Sequence, residues 1–391
     1  MNIPVYLDNQ ATTRVDRRVI DAMIPLMDEA YGNASSTQHE YGWKAEAAVE
    51  QARRRVASLV GAGAGEIVFT SGATESINLA LKGAARSLRG KGNRIITAVT
   101  EHRAVLDACR SLGEEGFEIV HVPVDGFGLV DPDDVARAIT PGTILVSIMT
   151  ANNEIGTIAP VGAIGALCRE RGVLFHTDAT QAAGKIPVDM RAMHADLVSF
   201  SAHKMYGPKG VGALALRAGR PPVRLVPLLD GGGHEKGIRP GTLNVPGIAG
   251  FGVAAEIASA VMPEESRRLA ALRDALVGGI AAGVEGAVLN GHGSLRLPHS
   301  ANLRFPGARA DAVMMAMKDI AVSTGSACSS ASPEPSHVLR AIGLSREETL
   351  CSIRFGLGRF TTEEEITYAI GRVTRTVTQI AQRGTHAVPV H

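Results

Sequence analysis

Hydrophobic and polar positions along this chain follow two patterns in turn, one typical of helices and one typical of strands. Between residues 44 and 60, the apolar residues Val49, Ala52, Val56 and Val60 recur at helical spacing, with arginine and glutamate on the opposite face. This spacing predicts an amphipathic helix. After it, short β-rich runs alternate with helical segments, which is the signature of βαβ units. The predicted strands are residues 66–70, 94–97, 118–122, 143–149, 173–177, 196–201 and 211–216.

Two of these strands contain runs, 144–148 and 173–175, that are apolar apart from Ser147 instead of alternating. Strands covered by helices on both faces have this composition, so we expect a mostly parallel sheet. The pattern changes after about residue 250, where a helical segment at 264–280 precedes a strand candidate at 301–305. The sequence therefore predicts an α/β fold followed by a second, smaller α+β unit.

The length of 391 residues also favours two units, because it exceeds the usual size of one hydrophobic core. We assign residues 16–250 to a large domain with a mostly parallel seven-stranded sheet flanked by helices. Residues 1–15 and 251–391 are assigned to the smaller domain.

Composition narrows the class of protein. Apolar residues make up 45% and charged residues 20%, which is typical of a folded globular chain. The net charge of +1, without a long basic block, argues against a nucleic-acid partner. The N-terminus resembles no signal peptide, and no uncharged apolar stretch looks long enough to span a bilayer, so we expect no membrane partner and a cytoplasmic location. Four widely spaced cysteines disfavour a disulfide framework and a structural zinc site.

Polar residues follow the predicted strands at the positions where an open α/β sheet binds its ligands. Strand 66–70 is followed by Ser71-Gly-Ala-Thr-Glu-Ser and a helical stretch. Small residues at a helix N-terminus offer free backbone N–H groups and a favourable dipole to a phosphate. An ordinary N-cap turn has the same sequence, so this segment alone leaves both interpretations open.

An acid and a lysine follow two further strands. Asp178 directly follows the predicted strand 173–177. Lys204 follows the predicted strand 196–201 and ends the segment Ser201-Ala-His-Lys. Lysine can form a Schiff base with an aldehyde cofactor, and a carboxylate beside a pyridine nitrogen keeps that nitrogen protonated. For either residue alone, a helix cap or a solvated loop is the competing interpretation. Their occurrence together with the phosphate-type turn favours the cofactor.

The segment from Ser323 to Pro335 is rich in small polar residues and contains Cys328. Such a segment has little apolar area with which to offset the entropy of ordering, so we expect it to be mobile. A cysteine on it could visit a buried cofactor, collect sulfur and deliver it elsewhere; an unremarkable surface thiol is the alternative. Cys109 and Cys168 lie in helical apolar patterns and are predicted core residues, whereas Cys351 is ambiguous.

With these residues, the chain resembles the class V branch of pyridoxal-phosphate enzymes of the aspartate aminotransferase fold. The similarity extends from Tyr6-Leu-Asp-Asn-Gln-Ala-Thr-Thr to Ser352-Ile-Arg-Phe-Gly-Leu-Gly-Arg-Phe. Within that branch it is similar to the cysteine desulfurases of the IscS/NifS group, because Ser323-Thr-Gly-Ser-Ala-Cys-Ser-Ser-Ala-Ser-Pro-Glu-Pro-Ser-His-Val-Leu matches the long active-site loop of that group. The resemblance implies a fold-type I enzyme with pyridoxal 5'-phosphate as cofactor and L-cysteine as substrate.

The resemblance also implies a role for each matching residue. Lys204, Cys328 and His102 are the expected catalytic residues, with His102 stacked over the cofactor ring. Arg354 and Asn153 are expected at the substrate carboxylate, since a guanidinium can make two parallel hydrogen bonds to it. Thr242 is expected to reach the phosphate of the partner subunit, which implies a homodimer. The expected cofactor contacts are Ala73, Thr74, His102, Asn153, Asp178, Gln181, Ser201, Ala202, His203, Lys204 and Thr242.

The implied reaction converts cysteine to alanine and leaves a persulfide on Cys328. The amine of Lys204 would remove the α-proton, and His102 would donate a proton. No resident metal is expected, although Cys328 could transiently contact an iron–sulfur cluster on a partner. The expected acceptor is a sulfur-accepting protein such as an iron–sulfur scaffold.

The sequence leaves alternative functions open and departs from the family pattern at two places. The alternative functions are a selenocysteine lyase or another class V enzyme, and a non-enzymatic sulfur-relay component. Ala202 stands where the family usually has glycine, and the end of the chain is shorter than the tail that some relatives use to dock a scaffold.

Overall fold

The computed structural model describes residues 3–219, 222–324 and 335–385. Within these residues the strands are β1 Val5–Tyr6, β2 Ile67–Thr70, β3 Arg94–Ala98, β4 Glu118–Val122, β5 Thr143–Ser147, β6 Leu174–Asp178, β7 Leu197–Ser201, β8 Gly212–Leu216, β9 Val288–Leu289, β10 Ser300–Arg304, β11 Ile320–Ala321 and β12 Ser352–Gly356. The helices are α1 Arg17–Met23, α2 Pro25–Asp28, α3 Glu40–Leu59, α4 Ala73–Leu88, α5 Arg103–Glu114, α6 Pro132–Ala138, α7 Val161–Arg171, α8 Val245–Gly283, α9 Ala310–Ala316, α10 His337–Ala341, α11 Arg346–Leu350 and α12 Glu363–Thr385.

Seven of the described strands form one sheet in the order β2-β8-β7-β6-β5-β3-β4. Strand β8 runs antiparallel to both of its neighbours, and the pairs among β3 to β7 are parallel. Every residue of β5 and β7 is buried, because helices cover both faces of the sheet. The predicted α/β fold with a mostly parallel seven-stranded sheet is confirmed.

Helix α8 connects this sheet to a second apolar core. Its first half packs on α1 and α3, where the ring of Phe251 meets Phe200 of β7 edge-on with centroids 5.7 Å apart. Its second half contributes Leu269, Leu276 and Ile280 to a separate core with β10, β12 and α12. The predicted domain boundary at residue 250 falls inside this helix, and the domain assignment stays a prediction.

By length and composition alone, α8 is the helix among the described residues that could cross a membrane. In its most apolar window, 56% of the residues are buried inside the protein. The sequence-based expectation that no stretch is apolar enough to span a bilayer therefore overlooked α8. Its apolar face packs on α3 and α1, as in a core helix.

The parallel arrangement brings the carboxyl ends of β2, β3, β5, β6 and β7 to one edge of the sheet. The residues that follow those ends therefore converge in space although they are far apart in sequence. This edge faces the N-terminal segment that leaves β1, and the two together enclose a cavity.

Candidate active site

A cavity of about 400 Å³ opens at that edge of the sheet. Nine of the residues that we expected at a site line it together: Ala73, Thr74, His102, Asn153, Asp178, Gln181, His203, Lys204 and Arg354. They come from the ends of five strands and from β12. The topology thus assembles a lysine, an acid, a phosphate-type turn and an arginine in one place.

The side chain of Lys204 faces this cavity. Lys204 ends a short 3-10 turn, Ala202–Lys204, that directly follows β7. Its Nζ donates hydrogen bonds to the carbonyl oxygens of Ala11, at 2.8 Å, and of Gln10. Gln181 Nε2 donates to the same Gln10 carbonyl at 3.0 Å. The lysine amine and the Gln181 amide are therefore held side by side by one backbone segment.

Asp178 is the last residue of β6 and is almost fully buried. Its Oδ1 accepts a hydrogen bond from the backbone N–H of Thr180 at 2.9 Å, which fixes the orientation of the carboxyl group. The Oγ1 of Thr180 is itself buried and has no hydrogen-bond partner among the described residues. A carboxylate in this position can hold a protonated ring nitrogen inside the cavity.

His102 is the N-cap of α5, so its ring has a fixed orientation. Its Nδ1 accepts a hydrogen bond from the backbone N–H of Ala104 at 3.1 Å. Burial lowers the pKa of His102, which keeps the ring neutral near pH 7. Because Nδ1 accepts, the proton of the neutral ring lies on Nε2. His102 is therefore poised to donate one proton from Nε2.

The turn after β2 offers an anion site. Helix α4 begins at Ala73, and its N-cap Gly72 provides no side-chain capping bond, so backbone N–H groups of the first turn remain for a ligand. Ser201 Oγ is buried and has no partner among the residues described. Burial lowers the pKa of His203 to about 4, so His203 can meet an anion as a neutral donor.

Arg354 lies in β12 and is almost fully buried where it lines the cavity. Its two terminal nitrogens donate to the carbonyl oxygen of Asn153 and to Oδ1 of Asp8, each at 2.9 Å. Asn153 Oδ1 has no partner among the described residues. Arg354 and Asn153 thus form one polar wall that suits a carboxylate.

Three expected site residues do not line this cavity. Ala202 and Ser201 are fully buried behind it, and the Ala202 methyl belongs to the apolar core. Thr242 is exposed on its own chain. Its expected contact involves a second subunit and stays a prediction, as do the phosphate contacts of Ser201 and Ala202.

Cys328 lies outside the described residues. The three described cysteines are buried, and burial raises the pKa of the thiols of Cys109 and Cys168 to about 12 and also raises that of Cys351. A thiol with a raised pKa is a poor nucleophile. The expectation that Cys109 and Cys168 are core residues agrees with their complete burial.

Both ends of the segment that carries Cys328 start from the cavity wall. Ser323 pairs with Arg354 through backbone hydrogen bonds of 2.7 and 3.4 Å. Beyond the segment, Ser336 Oγ donates to Glu154 at 2.5 Å, and His337 Nε2 lies 2.9 Å from the carbonyl oxygen of Glu101. Residues that flank the Cys328 segment thus lie beside Arg354 and beside the sequence neighbours of Asn153 and His102.

The sequence analysis missed several residues of this wall. Thr180 follows Asp178 by two positions, and Lys209 lies in a Gly-Pro-Lys-Gly segment that begins three residues after Lys204. Gln10 and Ala11 lie in the N-terminal motif that carries the family resemblance, which was the available signal. Asp8 lies in the same motif.

The chain is similar to known proteins over nearly its whole length. The family model described as "Aminotransferase class-V" matches residues 5–368. A protein named cysteine desulfurase IscS, from Anaeromyxobacter sp. (strain Fw109-5), is 53% identical over 382 residues, which is 98% of this chain and 94% of the relative. A solved NifS-like protein has a TM-score of 0.89 at 40% identity and covers 96% of this chain and 99% of its own.

The chain belongs to the aminotransferase class-V family. Within this class-V family it groups with the cysteine desulfurases of the IscS/NifS type, as the sequence predicted. A further solved structure, titled "SspA in complex with cysteine", has a TM-score of 0.81 at 37% identity and covers 92% of this chain and 100% of its own. The predicted family, fold class and enzyme class are confirmed.

Proposed function

We propose that this chain is a pyridoxal-phosphate-dependent cysteine desulfurase that moves the sulfur of L-cysteine to Cys328 and releases L-alanine. The observation that carries the proposal is one cavity in which a lysine amine, a buried carboxylate, a neutral histidine and an arginine meet. Identity of 53% to a named cysteine desulfurase and a related structure titled as a complex with cysteine support the choice of substrate.

The residues present fit pyridoxal 5'-phosphate. The uncapped N-terminus of α4 and the neutral ring of His203 suit the phosphate, and Asp178 suits the ring nitrogen. Lys204 is the amine that would hold the aldehyde carbon, Gln181 would serve the phenolic oxygen, and His102 would stack on the ring. When bound there, the cofactor would withdraw electrons from the α-carbon of an attached amino acid.

Arg354 would orient the substrate. Its guanidinium is fixed by Asp8 and by the carbonyl oxygen of Asn153, so little rotamer entropy remains to be lost when it binds a carboxylate. The side-chain amide of Asn153 would supply a further contact. Holding the carboxylate at this wall directs the rest of the amino acid toward Lys204.

Two residues would move protons. Lys204 Nζ, when it is not bonded to the cofactor, is the base that would take the α-proton of cysteine. His102 Nε2 carries a proton in the neutral ring and would return one to a substrate carbon. A placed proton donor contributes about two to four powers of ten in rate, so loss of His102 should impair turnover without abolishing it.

Cys328 would receive the sulfur. Its thiolate attacks the sulfur of the substrate, so an S–S bond forms while the bond between the β-carbon and sulfur breaks. The electron pair of the broken bond stays on the β-carbon, which takes a proton and becomes the methyl group of alanine. The enzyme is left with a persulfide, and a thiol reductant or an acceptor protein is needed to remove that sulfur.

The wider setting is also proposed. A homodimer would allow the exposed Thr242 to reach the phosphate of the second site. A sulfur-accepting protein, such as an iron–sulfur scaffold, would take the persulfide sulfur, and the enzyme would act in the cytoplasm.

The test is to mix the purified, cofactor-loaded protein with L-cysteine and a thiol reductant and to measure alanine and sulfide together. We expect equal amounts of both products, and neither with Lys204→Ala. A Cys328→Ser variant should keep the coloured cofactor and lose sulfide release. Unchanged sulfide release by that variant would refute the persulfide step. A colourless protein that cannot be loaded would favour a non-enzymatic relay, and preference for selenocysteine would favour a selenocysteine lyase.

A further inference from the structure

Five buried or nearly buried polar side chains lie between the two apolar cores. This group, here called the junction cluster, belongs to none of the hydrophobic clusters that make up the two cores. Its members come from the N-terminal segment, the connections after β6 and β7, α8 and the turn after β12: Asp16, Lys185, Tyr206, Glu265 and Arg359.

The ring of Tyr206 lies against the Lys185 amine and the Arg359 guanidinium. Lys185 Nζ lies 3.8 Å from the ring centroid, and Arg359 Cζ lies 4.1 Å from it. The phenolic oxygen accepts a hydrogen bond from the backbone N–H of Arg359 at 2.5 Å. Cations at such distances from an aromatic face are attracted to it, most strongly where water is excluded. The ring therefore has a fixed position.

The carboxylates of Glu265 and Asp16 hold Arg359 in turn. Arg359 donates to Glu265 at 2.6 Å and to Asp16 at 3.0 Å. Lys185 Nζ lies 3.8 Å from Glu265, has no hydrogen-bond partner among the described residues and lies at the same distance from the centroid of the Tyr206 ring.

The backbone of Tyr206 is in the left-handed region, with φ of +66°. A side chain with a Cβ adopts this conformation only when its surroundings impose it, and such strain concentrates at functional sites. Glycine would adopt it freely, yet this position holds the bulkiest fully buried aromatic side chain of the described residues. The contacts of the ring with Lys185 and Arg359 therefore help to hold the backbone in this conformation.

That turn is the one that carries Lys204, two residues earlier. Thr13 joins the two positions, because its Oγ1 donates to the carbonyl oxygen of His203 at 2.8 Å and accepts from the Tyr206 N–H at 2.8 Å. The carbonyl oxygen of Tyr206 accepts from the N–H of Asp16 at 3.0 Å. A shift of the Tyr206 backbone would thus move both ends of the short segment that contains Lys204.

We propose that Tyr206, clamped between Lys185 and Arg359, is a positioning residue that fixes the amine of Lys204 in the cavity. It does not line the cavity and acts only through the backbone of the turn. The purpose of this positioning rests on the proposed function. The test does not depend on that function, because it observes the Lys204 amine directly.

The experiment compares Tyr206→Gly with Tyr206→Phe. Glycine accepts the left-handed backbone and removes the ring, whereas phenylalanine keeps the ring between Lys185 and Arg359 and loses only the phenolic oxygen. In each apoprotein, the rate of acylation of Lys204 by acetic anhydride is followed by peptide mass spectrometry. In each cofactor-loaded protein, the pH midpoint of the visible absorption band is measured.

We expect Tyr206→Gly to change the acylation rate of Lys204 by about threefold or more and to shift the spectral midpoint by about half a pH unit or more. Tyr206→Phe should stay close to wild type in both measurements. His194 is another non-glycine residue with positive φ, +52°, and it does not line the cavity, so His194→Gly is the matched control and should change neither.

Wild-type values for Tyr206→Gly in both measurements would overturn the proposal. If that variant does not fold, Lys185→Met replaces it, and an unchanged acylation rate and midpoint there would overturn the proposal equally. A shifted Lys204 acylation rate in a protein that forms no alanine from cysteine would uphold the positioning role while the proposed function fails.

Discussion

Asp8 Oδ1 accepts a hydrogen bond from Arg354 at 2.9 Å, across 346 positions of sequence. Arg354 lies in β12, which belongs to the second core, whereas Asp8 lies two residues after β1, near the N-terminus. Asn153 O accepts from the other terminal nitrogen, so the guanidinium is held at two of its corners. The carboxylate therefore orients the arginine toward the cavity before any substrate arrives.

Replacement of Asp8 by asparagine should weaken this orientation. The amide oxygen can still accept a hydrogen bond, but the charge assistance is lost, and we expect KM for cysteine to rise about tenfold with a smaller change in kcat. Steady-state alanine formation measures both constants. Asp311→Asn is the control, because Asp311 pairs with Arg309 on the exposed surface. An unchanged KM in Asp8→Asn would contradict the orienting role.

Replacement of Asp178 by asparagine should separate cofactor binding from turnover. The Asn side-chain oxygen can still accept from Thr180, so the wall should keep its shape, but a neutral amide cannot hold a ring nitrogen in its protonated form. We expect the protein to remain coloured and kcat to fall by about a hundredfold or more. Visible spectra and alanine assays check the two parts, and near-normal kcat would contradict the role of Asp178.

Substitutions at Ala202 and Gly207 should have coupled effects on the free energy of unfolding. A methyl group added at Gly207 would lie 2.8 Å from Ala202 Cβ and 2.9 Å from its carbonyl oxygen, which is closer than real contacts allow. We expect Gly207→Ala to reduce the free energy of unfolding by roughly 1–3 kcal/mol, and by less in an Ala202→Gly background. Urea unfolding of the two single variants and the double variant measures the coupling.

Gly90→Ala is the control for that cycle, because no atom lies within 4 Å of its added methyl group. Strict additivity of the Ala202 and Gly207 changes would contradict the contact. The family departure at Ala202 is thus accommodated by the glycine five positions later, and the backbone of Ala202 needs no positive φ.

His176 should make stability depend on pH. It is buried between Ser147 and Ser199, whose hydroxyls lie 2.8 and 2.9 Å from its ring nitrogens, and burial lowers its pKa to about 3. An unfolded histidine titrates near ~6.5, so the unfolded state binds the extra proton between these values. The stabilising contribution is therefore complete above pH ~6.5 and is lost as the pH falls toward about 3.

Between pH ~6.5 and ~5 this one group should cost the wild type about 2 kcal/mol of unfolding free energy. His176→Asn should flatten the dependence, because asparagine does not titrate. Urea unfolding at several pH values in this interval compares the two slopes. Equal slopes would show that His176 is not the group responsible.

The strands of the large sheet could be predicted because continuous apolar runs end in polar residues. Each predicted strand recurs with ends displaced by no more than two residues. The first half of α8 was missed. Gly250 and Gly252 lower helix propensity there, but a methyl group at Gly252 would lie 2.5 Å from Ala52 Cα. Only the packed structure reveals that α3 and α8 require glycine to approach closely.

The candidate site was predicted where residues follow a strand, because parallel strands deliver their carboxyl ends to one edge. Asp178 and Lys204 are of this kind. Asp8 and Gln10 approach from the opposite wall, and no periodicity relates them to Arg354. The junction cluster was not predictable either, since its members lie on separate elements and become neighbours only when the two cores meet.

The central claim is that the sulfur of L-cysteine passes to Cys328 by chemistry that depends on Lys204. The most direct measurement is the mass of the peptide that contains Cys328, after brief exposure of the cofactor-loaded protein to L-cysteine without reductant. We predict a gain of one sulfur atom in the wild type and none in Lys204→Ala. Alanine that accumulates while the Cys328 peptide keeps its original mass would contradict the account.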